Sequence, residues 1–239
     1  MPSKTKAVAK TKTNQPATFD TSLSTGLENT DSSDLVIPQI VLLQPLSPEV
    51  NDGATPGKFY HKTLKESYDS LRVLPCHWEK CLTKWKPRDE GGGFLGKFSI
   101  NEKQGLRSDD GGRTFYDDEG LYKETHYYTC LYEHDGLLDP VVISMYGTAI
   151  FISKSWISMM KQMRNNAGNP LPMYAHFYRI DPIKKSNNMG TWWSYNINPD
   201  GRVESQDEVD QAEGLVRMMS SGQAVVDQPT DTEKETNVV

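Results

Sequence analysis

The sequence predicts one mainly β domain, an antiparallel barrel or sandwich carrying helical decorations. Three observations lead there. Leu121 to Glu133 is dense in Tyr, Thr and Cys, and Val141 to Tyr146 answers it across the turn His134-Asp135-Gly136, the pattern of an antiparallel hairpin. Seven or so short apolar runs are cut by glycine and proline, and only two stretches carry helical periodicity. A chain of 239 residues can bury roughly 70% of its extended surface, so it folds without disulfides or a structural metal.

Residues 1–34 are rich in Lys, Thr, Ser, Asp and Asn without periodicity and read as a disordered basic arm. Order is expected from Leu35, in the apolar run to Leu43 broken by Pro38. A turn-rich link through Asn51-Asp52-Gly53 follows, then a short strand after Pro56-Gly57-Lys58. Leu71 to Trp78 and Cys81 to Lys86 read as strand. Trp78 and Trp85 are seven apart and would face opposite sides of an unbroken strand, so a bend or bulge is expected between them. Residues 87–120, with Gly91-Gly92-Gly93 and Asp110-Gly111-Gly112, read as a mobile excursion held by Phe94, Phe98, Phe115 and Tyr116.

After the hairpin, Ser153 or Ser155 can cap a helix to about Asn166, with Trp156, Met159, Met160 and Met163 on one face. Met173–Ile180 and Gly190–Ile197 are the last strand candidates, joined by a basic loop over 182–188. Ser205 and Glu208 form a capping box that starts a helix through about Ser220, and residues 223–239 read as a disordered acidic tail. The expected organisation is therefore an arm (1–34), a domain (35–203), a helix (204–222) and a tail (223–239).

The net charge of -6 is unevenly spread. Lys4, Lys6, Lys10 and Lys12 make the first 13 residues purely basic, whereas nine acids against Arg217 and Lys234 follow from Glu204. Within the body, Lys154 to Lys185 holds six basic residues and one acid, Asp181. A basic arm and an acidic tail around a nearly neutral body suit a nucleic-acid protein, and they also suit simple solubility. No apolar window approaches a membrane span, and Met1-Pro2-Ser3-Lys4 opens no secretory signal, so the expectation is a protein without membrane association in a cytosolic compartment.

Catalytic signatures are missing. There is no phosphate-binding GxxxxGK[ST] loop, no G-x-S-x-G and no H-E-x-x-H, and the acids of 109–119 cluster in turns, so no enzyme and no cofactor are expected. Cys76, His77, Cys81, His126 and Cys130 offer zinc ligand types at loose spacing. Their strand-like neighbours make buried free thiols the better reading.

Single-strand binders combine a positively charged groove with aromatic faces on which bases stack. The run His77 to Arg88 interleaves the two: Lys84, Lys86 and Arg88 share one parity, with Trp85 opposite. Tyr178 and Arg179 form a second candidate. Trp192 and Trp193 form a third, since adjacent strand residues face opposite sides and Lys184 and Lys185 precede them.

Ile37-Pro38-Gln39-Ile40-Val41-Leu42-Leu43-Gln44, Leu46-Ser47-Pro48-Glu49-Val50, Pro56-Gly57-Lys58-Phe59 and Trp85-Lys86-Pro87-Arg88 before Gly91-Gly92-Gly93 resemble tailed-bacteriophage proteins of replication and recombination gene clusters. The likeness spans about residues 35–200. Several such proteins are similar in layout to single-stranded-DNA-binding proteins built on an OB barrel with an acidic tail. The resemblance implies an OB-like barrel that binds single-stranded DNA in the host cytoplasm, and a tail that recruits phage or host replication and recombination proteins. Those tails end in phenylalanine, whereas this one ends Thr236-Asn237-Val238-Val239. The alternative is a phage virion structural or assembly protein, and an exposed tryptophan with open strand edges makes a homodimer plausible.

Overall fold

The computed structural model describes residues 36–222 apart from 88–89, 109–113 and 189, together with 26, 28–29 and 225–226. The arm except 26 and 28–29, and the tail except 225–226, lie outside the described residues. In chain order the strands are β1 (Val36–Ile37), β2 (Gln39–Leu42), β3 (Phe59–His61), β4 (Glu66–Tyr68), β5 (Leu71–Trp85), β6 (Phe94–Ser99), β7 (Thr114–Tyr116), β8 (Leu121–His134), β9 (Leu137–Tyr146), β10 (His176–Asn187), β11 (Gly190–Arg202) and β12 (Val225–Val226). The helices are α1 (Pro48–Asn51), α2 (Ala149–Gln162) and α3 (Gln206–Ser220).

Ten strands form one curled sheet in the order β11-β10-β5-β8-β9-β2-β3-β4, with β6 beside β5 and β7 beside β8. The β8–β9 hairpin closes on Asp135 and Gly136, both at positive φ (51° and 79°), the twist that a two-residue hairpin turn requires. Neighbouring pairs are antiparallel except β2–β9, which run parallel at Gln39–Val142 and Ile40–Ile143. The two-residue β1–β12 pair, a separate small sheet, is also parallel.

The sheet is an open half-barrel, which corrects the expected closed antiparallel OB barrel. The free edge of β9 is taken by β2, and β3 and β4 carry the sheet outward instead of closing it. Side chains bridge the gap. Gln44 Nε2 donates to the Trp193 carbonyl at 3.0 Å, and the Trp193 N–H donates to Gln44 Oε1 at 2.9 Å.

Two helices cover the two faces. On the concave side, Trp156 of α2 is fully enclosed, stacked on Tyr128 at 4.3 Å and edge-on to Tyr178 at 5.5 Å. Ile40, Leu71, Val73, Ile143, Met145 and Ile180 complete that core. On the convex side, Ala212 and Leu215 of α3 close over Leu74, Cys76, Tyr127 and Phe177. The capping box at the start of α3 is present: Ser205 Oγ accepts from the Asp207 N–H at 3.2 Å, and Glu208 accepts from the Ser205 N–H at 3.1 Å.

Several boundaries differ from the sequence reading. Helix α2 starts at Ala149, four residues before Ser153, because Ser153 is an interior residue bonded to His126 Nδ1 and Tyr128 and not a cap. The bulge of β5 falls between Pro75 and His77, where proline has no N–H to offer the ladder. From there to Trp85 the register with β8 is unbroken, so Trp78 and Trp85 do face opposite sides; the one irregularity between them is in the pairing with β6, which shifts between Lys84 and Trp85. The basic stretch 182–188 is mostly the extended arm of β10, not a loop. The described part of the excursion is folded: Phe98, Ile100 and Leu106 pack on a small third core of Leu82, Phe115 and Tyr122.

Candidate nucleic-acid interface

Cross-strand partners share a face of a sheet, so the registers fix what lies beside what. Thr83 of β5 pairs with Lys97 of β6 on one side and Lys123 of β8 on the other. The next row toward the strand end holds Phe94, Trp85 and Leu121, and the row behind holds Ser99, Cys81, Thr125 and Tyr146. These residues present one outward surface beyond the part that α3 covers.

Trp85, Phe94, Lys97, Lys123 and Tyr146 are all half-buried on it. The Trp85 ring meets Phe94 edge-on at 5.3 Å, and its Nε1 donates to Thr83 Oγ1 at 3.1 Å, which fixes the indole. Thr83 in turn bonds Thr125 across the strands at 2.8 Å. Lys97 Nζ stands 3.9 Å above the Tyr127 ring, and Lys123 Nζ lies 5.9 Å from the Tyr146 ring. Lys86 sits just past the end of β5, where its N–H donates to the Gly93 carbonyl at 2.9 Å.

Lys84 does not belong to this surface. It points to the opposite face, its side chain 6% exposed, and donates to Glu119 at 2.8 Å and Asp117 at 3.1 Å. Burial works against its charge, but hydrogen bonds to Glu119, Tyr122 and Asp117 outweigh it and hold the ammonium above its ordinary pKa. Burial likewise opposes ionisation of Asp117. The Tyr122 hydroxyl, the Glu119 N–H and Lys84 overcome it and bring the carboxyl down to about 2. Lys84 is thus a pin that fastens the excursion to the sheet, buried and engaged by two carboxylates on the face opposite Trp85. Arg88 lies outside the described residues.

Tyr178 also lies away from that surface. It is fully enclosed in the concave core, with its hydroxyl unbonded among the described residues. Its neighbour Arg179 is exposed and donates to Asp181 at 3.1 Å. Trp193 packs on the core and over Gly57, whose φ of +84° and missing Cβ allow the indole to lie against the backbone. Trp192 faces the other side of the ribbon, directly across from the exposed Lys185. Lys184 is exposed across from Trp193.

The site residues read from sequence therefore fall into two groups that the fold keeps apart. Strand β10 pairs with β5 only at Leu71, Arg72 and Val73, and then runs on past the start of β5, while Trp85 is at its far end. Sequence reading missed Phe94, Lys97, Lys123 and Tyr146. The nearest available signal was the alternation Lys123-Thr125-Tyr127 on β8, which becomes informative only once the register with β5 is known.

Cys76, Cys81 and Cys130 are free and buried, with burial pushing Cys76 up to about 12 and Cys81 up to about 11. No cluster of three or more metal-ligating side chains occurs among the described residues, and no helix among them is long and apolar enough to cross a membrane. No curated protein and no solved structure matches the chain. The sequence pattern of the Pam3 phage gp34-like proteins matches residues 7–225, nearly the whole length, and the chain belongs to that phage protein family.

Proposed function

We propose that this protein binds single-stranded DNA without sequence specificity during phage replication or recombination. The observation that carries the reading is the shared outward face of β6, β5, β8 and β9, where Trp85 and Phe94 adjoin Lys97 and Lys123 across Thr83. Aromatic faces supply sequence-tolerant stacking and the lysines neutralise phosphates, the two ingredients of single-strand binding.

Connectivity supports it. Strands β5, β8, β9, β10 and β11, with α2 between the third and fourth, follow the strand order of an OB barrel, although the barrel here stays open. In such barrels the face of the second and third strands and the loops after the first and fourth contact oligonucleotides. The loop after the first corresponds to the excursion beyond Trp85. The loop after the fourth is the turn of the β10–β11 ribbon, which carries Lys184, Lys185 and Trp192 as a second contact. Recruitment of replication or recombination proteins by the acidic tail, and a homodimer, belong to the same reading.

The test is a fluorescence-polarisation titration with labelled single-stranded and duplex oligonucleotides at two salt concentrations. Trp85→Ala should weaken single-strand binding by about 1–3 kcal/mol with little change in salt slope. Lys97→Gln or Lys123→Gln should each make the slope of log affinity against log salt shallower by about 0.7. Equal affinity for single strand and duplex, or none for either at about 50 mM salt, refutes the proposal and turns attention to virion assembly.

A further inference from the structure

From Val141 to Ile180 the chain contains no Asp or Glu, while Lys154, Lys161, Arg164 and Arg179 lie within that stretch. Helix α2 crosses it. Its buried side carries Ser153, Trp156 and Met160, and its outer stripe reads Phe151, Lys154, Ser155, Ser158, Lys161 and Gln162, all exposed. Phe151 is 71% exposed, the most of any large apolar side chain among the described residues. Lys154 Nζ lies 6.0 Å from its ring centre. Neither Lys154 nor Lys161 has an ion-pair partner among the described residues.

An exposed phenylalanine on a helix costs solubility and contributes nothing to the core, so its surroundings decide what it is for. It borders a cleft of about 280 Å³ between α2 and β11, with Met159, Tyr195 and Ile197 on the apolar walls and Ser155 and Asn196 as polar groups. The volume falls below the roughly 300–1,000 Å³ of pockets that take drug-sized ligands. One flat ring with polar edges suits it better. Along the ribbon, Pro182 pairs with Tyr195 and Lys184 with Trp193, so the exposed Lys184 follows on the cleft's face within a few residues of it.

We propose that the α2–β11 cleft is a nucleotide subsite: one base of a single strand stacks on Phe151, and the flanking phosphates meet Lys154 and Lys161 on one side and Lys184 on the other. The proposal rests on the single-strand reading above and adds a subsite that lies on α2, apart from the outward face around Thr83. An acidic peptide would also be drawn to these cations. The polar Ser155 and Asn196 beside a base-sized apolar slot favour a nucleobase.

The experiment compares wild type with Phe151→Ala, with the double variant Lys154→Gln/Lys161→Gln, and with Trp85→Ala. Binding is measured to oligothymidylates of about 8 and about 30 nucleotides, bracketing the upper part of the range that one OB-type domain occupies. Phe151 and the two lysines are exposed, so melting temperatures should stay at the wild-type value. Phe151→Ala should weaken binding of the longer strand about tenfold or more, with a smaller loss on the shorter one. The double lysine variant should make the salt slope shallower by about 1.4, twice the single-strand increment per phosphate. Ultraviolet cross-linking of a 5-bromouracil strand should label the peptide containing Phe151. If wild type and Trp85→Ala behave as the proposed function requires but the α2 variants bind like wild type, this subsite is overturned and the function stands. If wild type binds no single strand, both fall. Weaker binding of a labelled polyglutamate, and unchanged binding of the oligonucleotide, in the α2 variants would make this a peptide site and overturn the inference.

Discussion

Replacing Lys84 with methionine separates a structural cation from a phosphate-binding one. The substitution keeps the aliphatic stem beside Tyr122 and removes only the ammonium, which lies 5.0 Å from that ring. It leaves Asp117 with the Tyr122 hydroxyl at 2.7 Å and the N–H groups of Glu119 and Gly120, both at 2.9 Å. Removing one partner of a fully buried pair costs about 3–5 kcal/mol. Here Asp117 is 33% and Glu119 82% exposed, so water recovers part of that, and about 2 kcal/mol is the expected loss. The depressed Asp117 carboxyl points the same way only in part, because the Tyr122 hydroxyl and the Glu119 N–H, which the substitution leaves in place, also hold it down beside Lys84. A domain of this size should then melt about 4–8 °C lower. The sign with pH follows from a depressed carboxyl. The stabilisation is fully present above about pH 4 and disappears as pH falls toward 2, so the wild-type advantage over Lys84→Met should shrink in acid. Calorimetry at pH 7 and pH 3 measures both quantities, and a salt titration with single-stranded DNA supplies the control. The reasoning is refuted if Lys84→Met melts like wild type while its salt slope becomes shallower by about 0.7, because that is the behaviour of a groove lysine.

Three further outcomes are expected. Tyr178→Phe should leave the melting temperature unchanged or raise it, since it removes a buried hydroxyl with no partner among the described residues; a loss above about 1 kcal/mol would show that the hydroxyl is bonded. Gly57→Ala should destabilise and loosen the β10–β11 ribbon, because a Cβ there meets the Trp193 ring and the φ of +84° disfavours a side chain; unaltered tryptophan fluorescence and melting would contradict the packing. His61, His126 and His176 are all held below their ordinary 6.5 by burial, so the folded chain binds fewer protons than the unfolded one, and stability should fall as pH drops below about 6.5. A melting temperature that is flat or rising from pH 7.5 to 5.5 would refute that sign.

What the sequence disclosed, and what it withheld, follows the range of the forces involved. The β8–β9 turn and the α3 capping box were legible because each depends on residues within a few positions: Asp135-Gly136 for one, Ser205 and Glu208 for the other. Lys84 was misread for the opposite reason. Period two correctly sets it against Trp85, but which of those faces is closed depends on Glu119, 35 residues away, and on the Leu82–Phe115–Tyr122 core that the excursion builds. The row Lys97–Thr83–Lys123 is likewise a product of two registers and has no signature in any one segment. Barrel closure was undecidable locally, since whether β9 offers its edge to β11 or to β2 is a competition between strands distant in sequence. The start of α2 was misplaced because serine at position 153 has the chemistry of a cap, and only packing shows that it serves His126 and Tyr128.

The separation of the two basic and aromatic groups has a consequence for how one strand could use them. Val73, the last β5 residue paired with β10, and Trp85 at its end are twelve residues apart, about 40 Å along an extended strand. A short oligonucleotide can satisfy only one group, whereas a longer one that reaches both gains the second contact as an intramolecular event at high effective concentration. The curl of the half-barrel shortens the direct distance, and the Gln44–Trp193 clamp fixes the ribbon against the far end of the sheet, so the second group is held at a set position. A fixed spacing makes affinity rise in a step once the strand spans it. A ribbon free to swing would spread the same gain over many lengths. Open-barrel geometry thus replaces backbone closure with a side-chain clamp, and under the single-strand proposal that clamp, rather than the count of lysines, would set how strand length is read.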